Sequence, residues 1–164
     1  MKIIGIDPGL QKTGWGILTK EGHALRFVDS GLIKTRAEDP LPARLALLHT
    51  QITDIIKHFS PDCAAVEETF MNNNAASALK LGQARGVLLC APALCGLPVA
   101  EYATNLVKKS VVGTGHATKD QIGMMVRMLL PTCGTVSEDE ADALAVAITH
   151  AHHHNVRHTR TPSS

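Results

Sequence analysis

Residues 2–19 read KIIGIDPGLQKTGWGILT, and the period of this stretch decides the fold. Lys2 to Ile6 is a short apolar run of strand length, stopped by the turn-forming triplet Asp7-Pro8-Gly9. Thr13 to Thr19 resumes strand-like alternation around Trp15 and Ile17. Glu21-Gly22 then supplies a hairpin turn into a third strand from Ala24 to Thr35. Three strands with short connections predict an antiparallel meander.

Beyond the meander the period changes. Leu41 to Phe59 places apolar residues at 45, 48, 52, 55, 56 and 59, the spacing of an amphipathic helix. Cys63 to Val66 is a brief buried strand, Ala75 to Leu94 a long helix, Val99 to Tyr102 a fifth strand, and Lys119 to Leu130 a helix. A last helix starts at Ser137, where Glu140 three residues on completes a capping-box pattern, and runs to about His150. Strands alternating with helices in this way predict one α/β domain with a mixed sheet.

Composition narrows the class. The chain has 164 residues, the size of one ordinary domain, and its 45% hydrophobic content is enough for a core. No apolar run reaches the roughly 18 residues of a membrane span, and no signal-peptide architecture opens the chain, so a cytoplasmic protein is expected. The four cysteines (Cys63, Cys90, Cys95, Cys133) lack CxxC pairing and read as reduced, buried thiols. The net charge of +1 is distributed unevenly. Residues 36–70 carry three basic and six acidic side chains, whereas 71–130 carry six basic and two acidic. That segregation is compatible with a basic face around an acidic pocket.

Four acids stand out. Asp7 follows the first strand, and ligands of α/β sheets gather at the carboxyl ends of strands. Glu67 closes the apolar run Ala64-Ala65-Val66, with Glu68 as its competitor, because strand alternation sends neighbours to opposite faces. Asp139 and Asp142 lie three apart on one helical face. Acids in a first helical turn also suit its unpaired amides, which accounts for Glu138, Asp139 and Glu140. Asp142 opens an uncharged stretch, where a carboxylate costs several kcal/mol unless paired or metal-bound. Clustered carboxylates of this kind would take Mg²⁺, and no GxxxxGKS, HExxH or GxSxG motif offers other chemistry.

The segments GIDPG (5–9), AVEETF (65–70), NNNAASALKLGQARGV (72–87), EYATNLVKKSVVGTGHATKDQI (101–122) and DEADALAVAITH (139–150) stand in this order. Together they closely resemble the RuvC family of Holliday-junction resolvases. The resemblance implies an RNase H-like α/β fold with a five-stranded mixed sheet flanked by helices, expected over residues 1–155; the tail at 156–164, ending Thr-Pro-Ser-Ser, reads from its own sequence as frayed. It implies a homodimer that resolves four-way DNA junctions by paired symmetrical nicks in recombination and repair. One or two Mg²⁺ per site would serve, with Mn²⁺ able to substitute, and the RuvA–RuvB branch-migration complex is the implied partner.

By the same resemblance the catalytic, metal-holding acids are Asp7, Glu67, Asp139 and Asp142, the choice of Glu67 over Glu68 resting on the family pattern. Phe70 matches an aromatic that stacks near the crossover, and Lys108 and Lys119 match lysines that approach the scissile phosphate, with the adjacent Lys109 as a substitute for Lys108. Gly82 and Gly86 form a GxxxG-like ridge, read either as a dimer contact or as close packing on the chain's own sheet. His150, His152, His153 and His154 read as exposed cations or a polar tail in preference to a metal site.

Overall fold

The computed structural model describes residues 1–68 and 74–157, apart from the side chains of 155–157. Its sheet has five strands, β1 (Lys2–Asp7), β2 (Lys12–Glu21), β3 (Ala24–Lys34), β4 (Cys63–Glu68) and β5 (Val99–Ala103). Their spatial order is β3-β2-β1-β4-β5. The first three form the expected antiparallel meander, while β4 joins β1 in parallel and β5 joins β4 in parallel. The mixed sheet arises because β1 reaches β4 only through a helical crossover.

The helices are α1 (Leu41–Phe59), α2 (Ala75–Leu94), α3 (Thr104–Val112), α4 (Lys119–Leu129) and α5 (Glu138–Arg157). Strand alternation sorts them into two layers. Ile4, Ile6, Ile17, Ala64 and Val66 face α1 and α2, packing with Leu48, Ile52, Ala84 and Leu88. Ile3, Leu18, Cys63 and Ala65 face the other way, towards α5, with α3 and α4 behind it. Helix α5 is thus sandwiched between a sheet and two helices. Its run of fully buried side chains from Ala143 to Thr149 follows from that position.

Three features depart from expectation. Helix α3 is an additional element whose sequence, TNLVKKSVV, is rich in β-branched residues of modest helix propensity. It is held by Val107 and Val111, four apart and buried in the α5 layer. Helix α5 continues past His150 to Arg157. The thiols are all free, but only Cys63 and Cys133 are buried, and Cys90 is exposed. Phe70 and residues 158–164 of the expected tail lie outside the described residues. Among the described residues, no helix is long and apolar enough to cross a membrane.

The close seating of α5 is made possible by glycines. Gly5 of β1 lies opposite Gly16 of β2, and Asp7 opposite Gly14. A Cβ on Gly5 would fall 2.1 Å from the Ala143 carbonyl oxygen, and one on Gly14 2.1 Å from that of Asp139. These bare backbone positions let the first turns of α5 lie directly on the strands. The acids of α5 are thereby brought to the carboxyl end of β1.

Candidate active site

Asp7 is the last residue of β1, one step beyond the final β1–β4 pair, Ile6 and Val66. The register pairs Ile3 with Cys63 and Gly5 with Ala65, so Asp7 and Glu67 are neighbours on the α5 face. Glu68 has the parity of Val66 and points to the opposite layer. Alternation plus register therefore separates the two glutamates, which neither strand alone could do. The loop after Asp7 is pinned by the buried Thr13, whose hydroxyl donates to the Gly9 carbonyl at 2.6 Å.

Glu67 is 9% exposed, and its side chain shares a hydrogen bond with that of Asp7. Burial first, then the neighbouring charge of Glu67, pushes the Asp7 carboxyl from 3.8 up to about 9. Asp142 and Asp139 add smaller repulsions. Around neutral pH, then, the Asp7 carboxyl keeps its proton, the usual response of a buried acid crowded by other carboxylates. Asp142 is raised from 3.8 to about 6, again by burial and then by Glu67, with Lys119 opposing.

A cavity of about 230 Å³ opens above these groups, lined by Asp7, Glu67, Thr104, Lys108, Lys119 and Asp142, with apolar walls from Val107, Ile122 and Ala145. Asp139 sits one turn earlier on α5, half-buried and outside the cavity lining, yet close enough to act on Asp7. Lys108 lines the cavity, whereas Lys109 is exposed and does not. Lys119, the first residue of α4, is paired with Glu138. It is placed by a capping box in which Thr118 and Gln121 exchange hydrogen bonds. The expected Ser137–Glu140 box is also present: the Ser137 amide donates to Glu140 at 2.9 Å and the Glu140 amide to Ser137 at 3.4 Å.

The donor set is all carboxylate oxygen, the kind that hard divalent cations take. A cation in place of the Asp7 proton would relieve the repulsion that raises Asp7. Among the described residues, no group of three or more His, Cys, Asp or Glu side chains stands in metal-holding geometry. The histidines of α5 are engaged otherwise: His150 hydrogen-bonds Tyr102 at 2.9 Å, and its ring stacks on that of His154 with centroids 5.8 Å apart.

Sequence reasoning missed Thr104 and Arg85. Thr104 lines the cavity and donates to the Glu68 carbonyl at 3.3 Å. Arg85 donates from Nε to the Glu67 carbonyl, also at 3.3 Å. Both lie inside motifs that the sequence shows, but a bond to a main-chain oxygen leaves no trace in residue spacing.

Residues 3–150 match the family described as Crossover junction endodeoxyribonuclease RuvC. A relative of that name from Paramagnetospirillum magneticum is 60% identical over 153 residues, covering 93% of this chain and 92% of its own. The structure of Thermus thermophilus RuvC in complex with a Holliday junction substrate superposes with a TM-score of 0.89 at 33% identity, covering 96% of both chains. The yeast mitochondrial Holliday junction resolvase shares the fold at a TM-score of 0.68 and 12% identity, covering 96% of this chain and 82% of its own. The meander, the two parallel strands, and the helix carrying Asp139 and Asp142 are thus those of known relatives, and this chain belongs to the RuvC family of crossover junction endodeoxyribonucleases.

Proposed function

We propose that this chain works as a homodimer that resolves four-way DNA junctions by paired, divalent-metal-dependent nicks. Asp7, Glu67, Asp139 and Asp142 would be the acids of each cut. The observation that carries this reading is the meeting of Asp7 and Glu67 on adjacent parallel strands, sharing a hydrogen bond above a cavity that Asp142 also lines. Asp7 and Glu67 would hold the metal from the sheet, while Asp142, with Asp139 behind it, closes on it from α5.

When bound, Mg²⁺ (or Mn²⁺) activates the attacking water and offsets charge on the leaving oxygen. The chain's own groups do the rest. Lys108 and Lys119 present positive charge on the cavity wall, where a scissile phosphate would enter. The apolar wall of Val107, Ile122 and Ala145 limits water around the carboxylates, which strengthens their interactions. Phe70, Lys109 and the RuvA–RuvB complex are further proposed DNA or protein contacts that follow from family membership alone.

The dimer reading is supported by α2. Among the described residues, nothing lies within 4 Å of where the Cβ atoms of Gly82 and Gly86 would stand, so these glycines are not packed on the described sheet. Leu79, one turn before Gly82, is 65% exposed. A two-fold pair of such surfaces would set two sites on strands of like polarity.

Nicking of a synthetic four-way junction in Mg²⁺ tests the proposal. Wild type is expected to cut, while Asp7→Asn and Glu67→Gln bind the junction but do not nick it. Normal cutting by Asp7→Asn would overturn the assignment of the acids, and binding without nicking by wild type would overturn the reaction.

A further inference from the structure

Helix α2 is joined to the end of β4 through one side chain. Arg85 Nε donates to the Glu67 carbonyl at 3.3 Å, while its Nη2 pairs with the Glu101 carboxylate. Glu101 lies on β5, in register with Val66 of β4. The guanidinium thus bridges two strands and a helix at the residue that carries an active-site carboxylate. Beyond the Ile6–Val66 pair the β1–β4 ladder has ended, so the Glu67 carbonyl depends on a side chain for its partner. On the next residue, Thr104 takes the Glu68 carbonyl. The end of β4 is therefore clamped from two elements, and Arg85 is the clamp on Glu67 itself.

We propose that Arg85 is a positioning residue for the cut: it fixes the backbone of Glu67 so that this carboxylate meets Asp7 and the metal at the correct height. The inference rests on the assignment of Glu67 as a catalytic acid. An ordinary surface ion pair would be worth about 0–1 kcal/mol and would have no bearing on rate. Arg85 differs because its second bond goes to the main chain of the catalytic residue, and its side chain is only 21% exposed. The planar fork serves the carbonyl and the carboxylate simultaneously, a geometry that a lysine ammonium reproduces only in part. A displacement of about 1 Å at a reacting group can cost roughly 100-fold in rate.

The test compares full-length wild type, Arg85→Ala and Arg85→Lys on a synthetic four-way junction. It measures single-turnover nicking, the Mg²⁺ concentration giving half the maximal rate, and junction binding without metal. Arg85→Ala is expected to cut about 10- to 100-fold more slowly and to need more Mg²⁺, while binding the junction as wild type does. Arg85→Lys is expected to fall between the two. A purely structural role would leave the Mg²⁺ requirement unmoved in whichever variant folds, and that result would overturn the proposal. So would a loss of rate matched by an equal loss of binding. If Arg85→Ala does not fold, Arg85→Lys decides: wild-type rate and Mg²⁺ demand from it refute the positioning role. Failure of wild type to nick would instead refute the proposed function.

Discussion

Replacing Asp7 by Asn should stabilise the metal-free protein while removing its activity. In the folded chain the Asp7 carboxyl is raised from 3.8 to about 9 by burial and by Glu67. In the unfolded chain it titrates normally. At pH 3 the group is neutral in both states, and its ionisation costs the fold nothing. As pH climbs past 3.8, the unfolded chain gives up the proton and the folded chain keeps it. Stability therefore falls steadily until about pH 9, where the loss levels off. The interval between 3.8 and neutrality, at roughly 1.4 kcal/mol per pH unit, is worth about 4 kcal/mol. Asn carries no such penalty and keeps an amide that can donate to Glu67. For a chain of this size each kcal/mol moves Tm by about 2–4 °C, so Asp7→Asn should melt roughly 10 °C higher at pH 7 in EDTA. At pH 5 the gain should shrink to about 1.5 kcal/mol. Thermal melts with and without Mg²⁺ across pH 5–8 provide the assay. Wild type should gain stability from Mg²⁺ and the variant should gain little. An offset that is absent, reversed or independent of pH would refute the account of a protonated Asp7 in the folded site.

Three further outcomes follow from the same geometry. Glu67→Gln should reduce junction nicking by at least about 100-fold, whereas Glu68→Gln, on the opposite face, should stay within a few-fold of wild type. Equal losses in a nicking assay would mean that the register argument is wrong. Gly5→Ala drives a Cβ to within 2.1 Å of the Ala143 carbonyl oxygen, so α5 must lift from the sheet. Overpacking of this kind costs about 1–3 kcal/mol, visible as a lower denaturation midpoint, together with slower nicking because Asp142 is carried away from Asp7. Lys108→Ala should slow single-turnover cleavage more than Lys109→Ala, since only Lys108 lines the cavity; the reverse order would move the phosphate to the outer face of α3.

The sequence alone determined the elements wherever hydrophobic period and cap chemistry agree. Helix α1 spans the expected Leu41–Phe59, and α2 the expected Ala75–Leu94. The Ser137–Glu140 box starts α5 as its spacing predicts. Local signals suffice there because the forces involved act within a turn or two of chain. The acids were also legible as candidates, since a carboxylate at a strand end or in an apolar helix demands an explanation. Their common face was not. Strand pattern alone leaves Glu67 and Glu68 open, and the family resemblance selects Glu67 without giving a reason; the β1–β4 register supplies it by putting Glu67 on the face of Asp7, and register is a property of two strands. The glycines at 5, 14 and 16 are spaced as an ordinary strand would allow, and only the seating of α5 shows why no side chain can stand there. Helix α3 follows the same logic: its β-branched sequence argues for strand, and burial of Val107 and Val111 against α5 overrides that preference. What the chain specifies locally is the set of strands, helices and charged groups. Which of those groups meet is decided by pairing and close approach across the sheet, because contacts between distant residues have no period in the sequence.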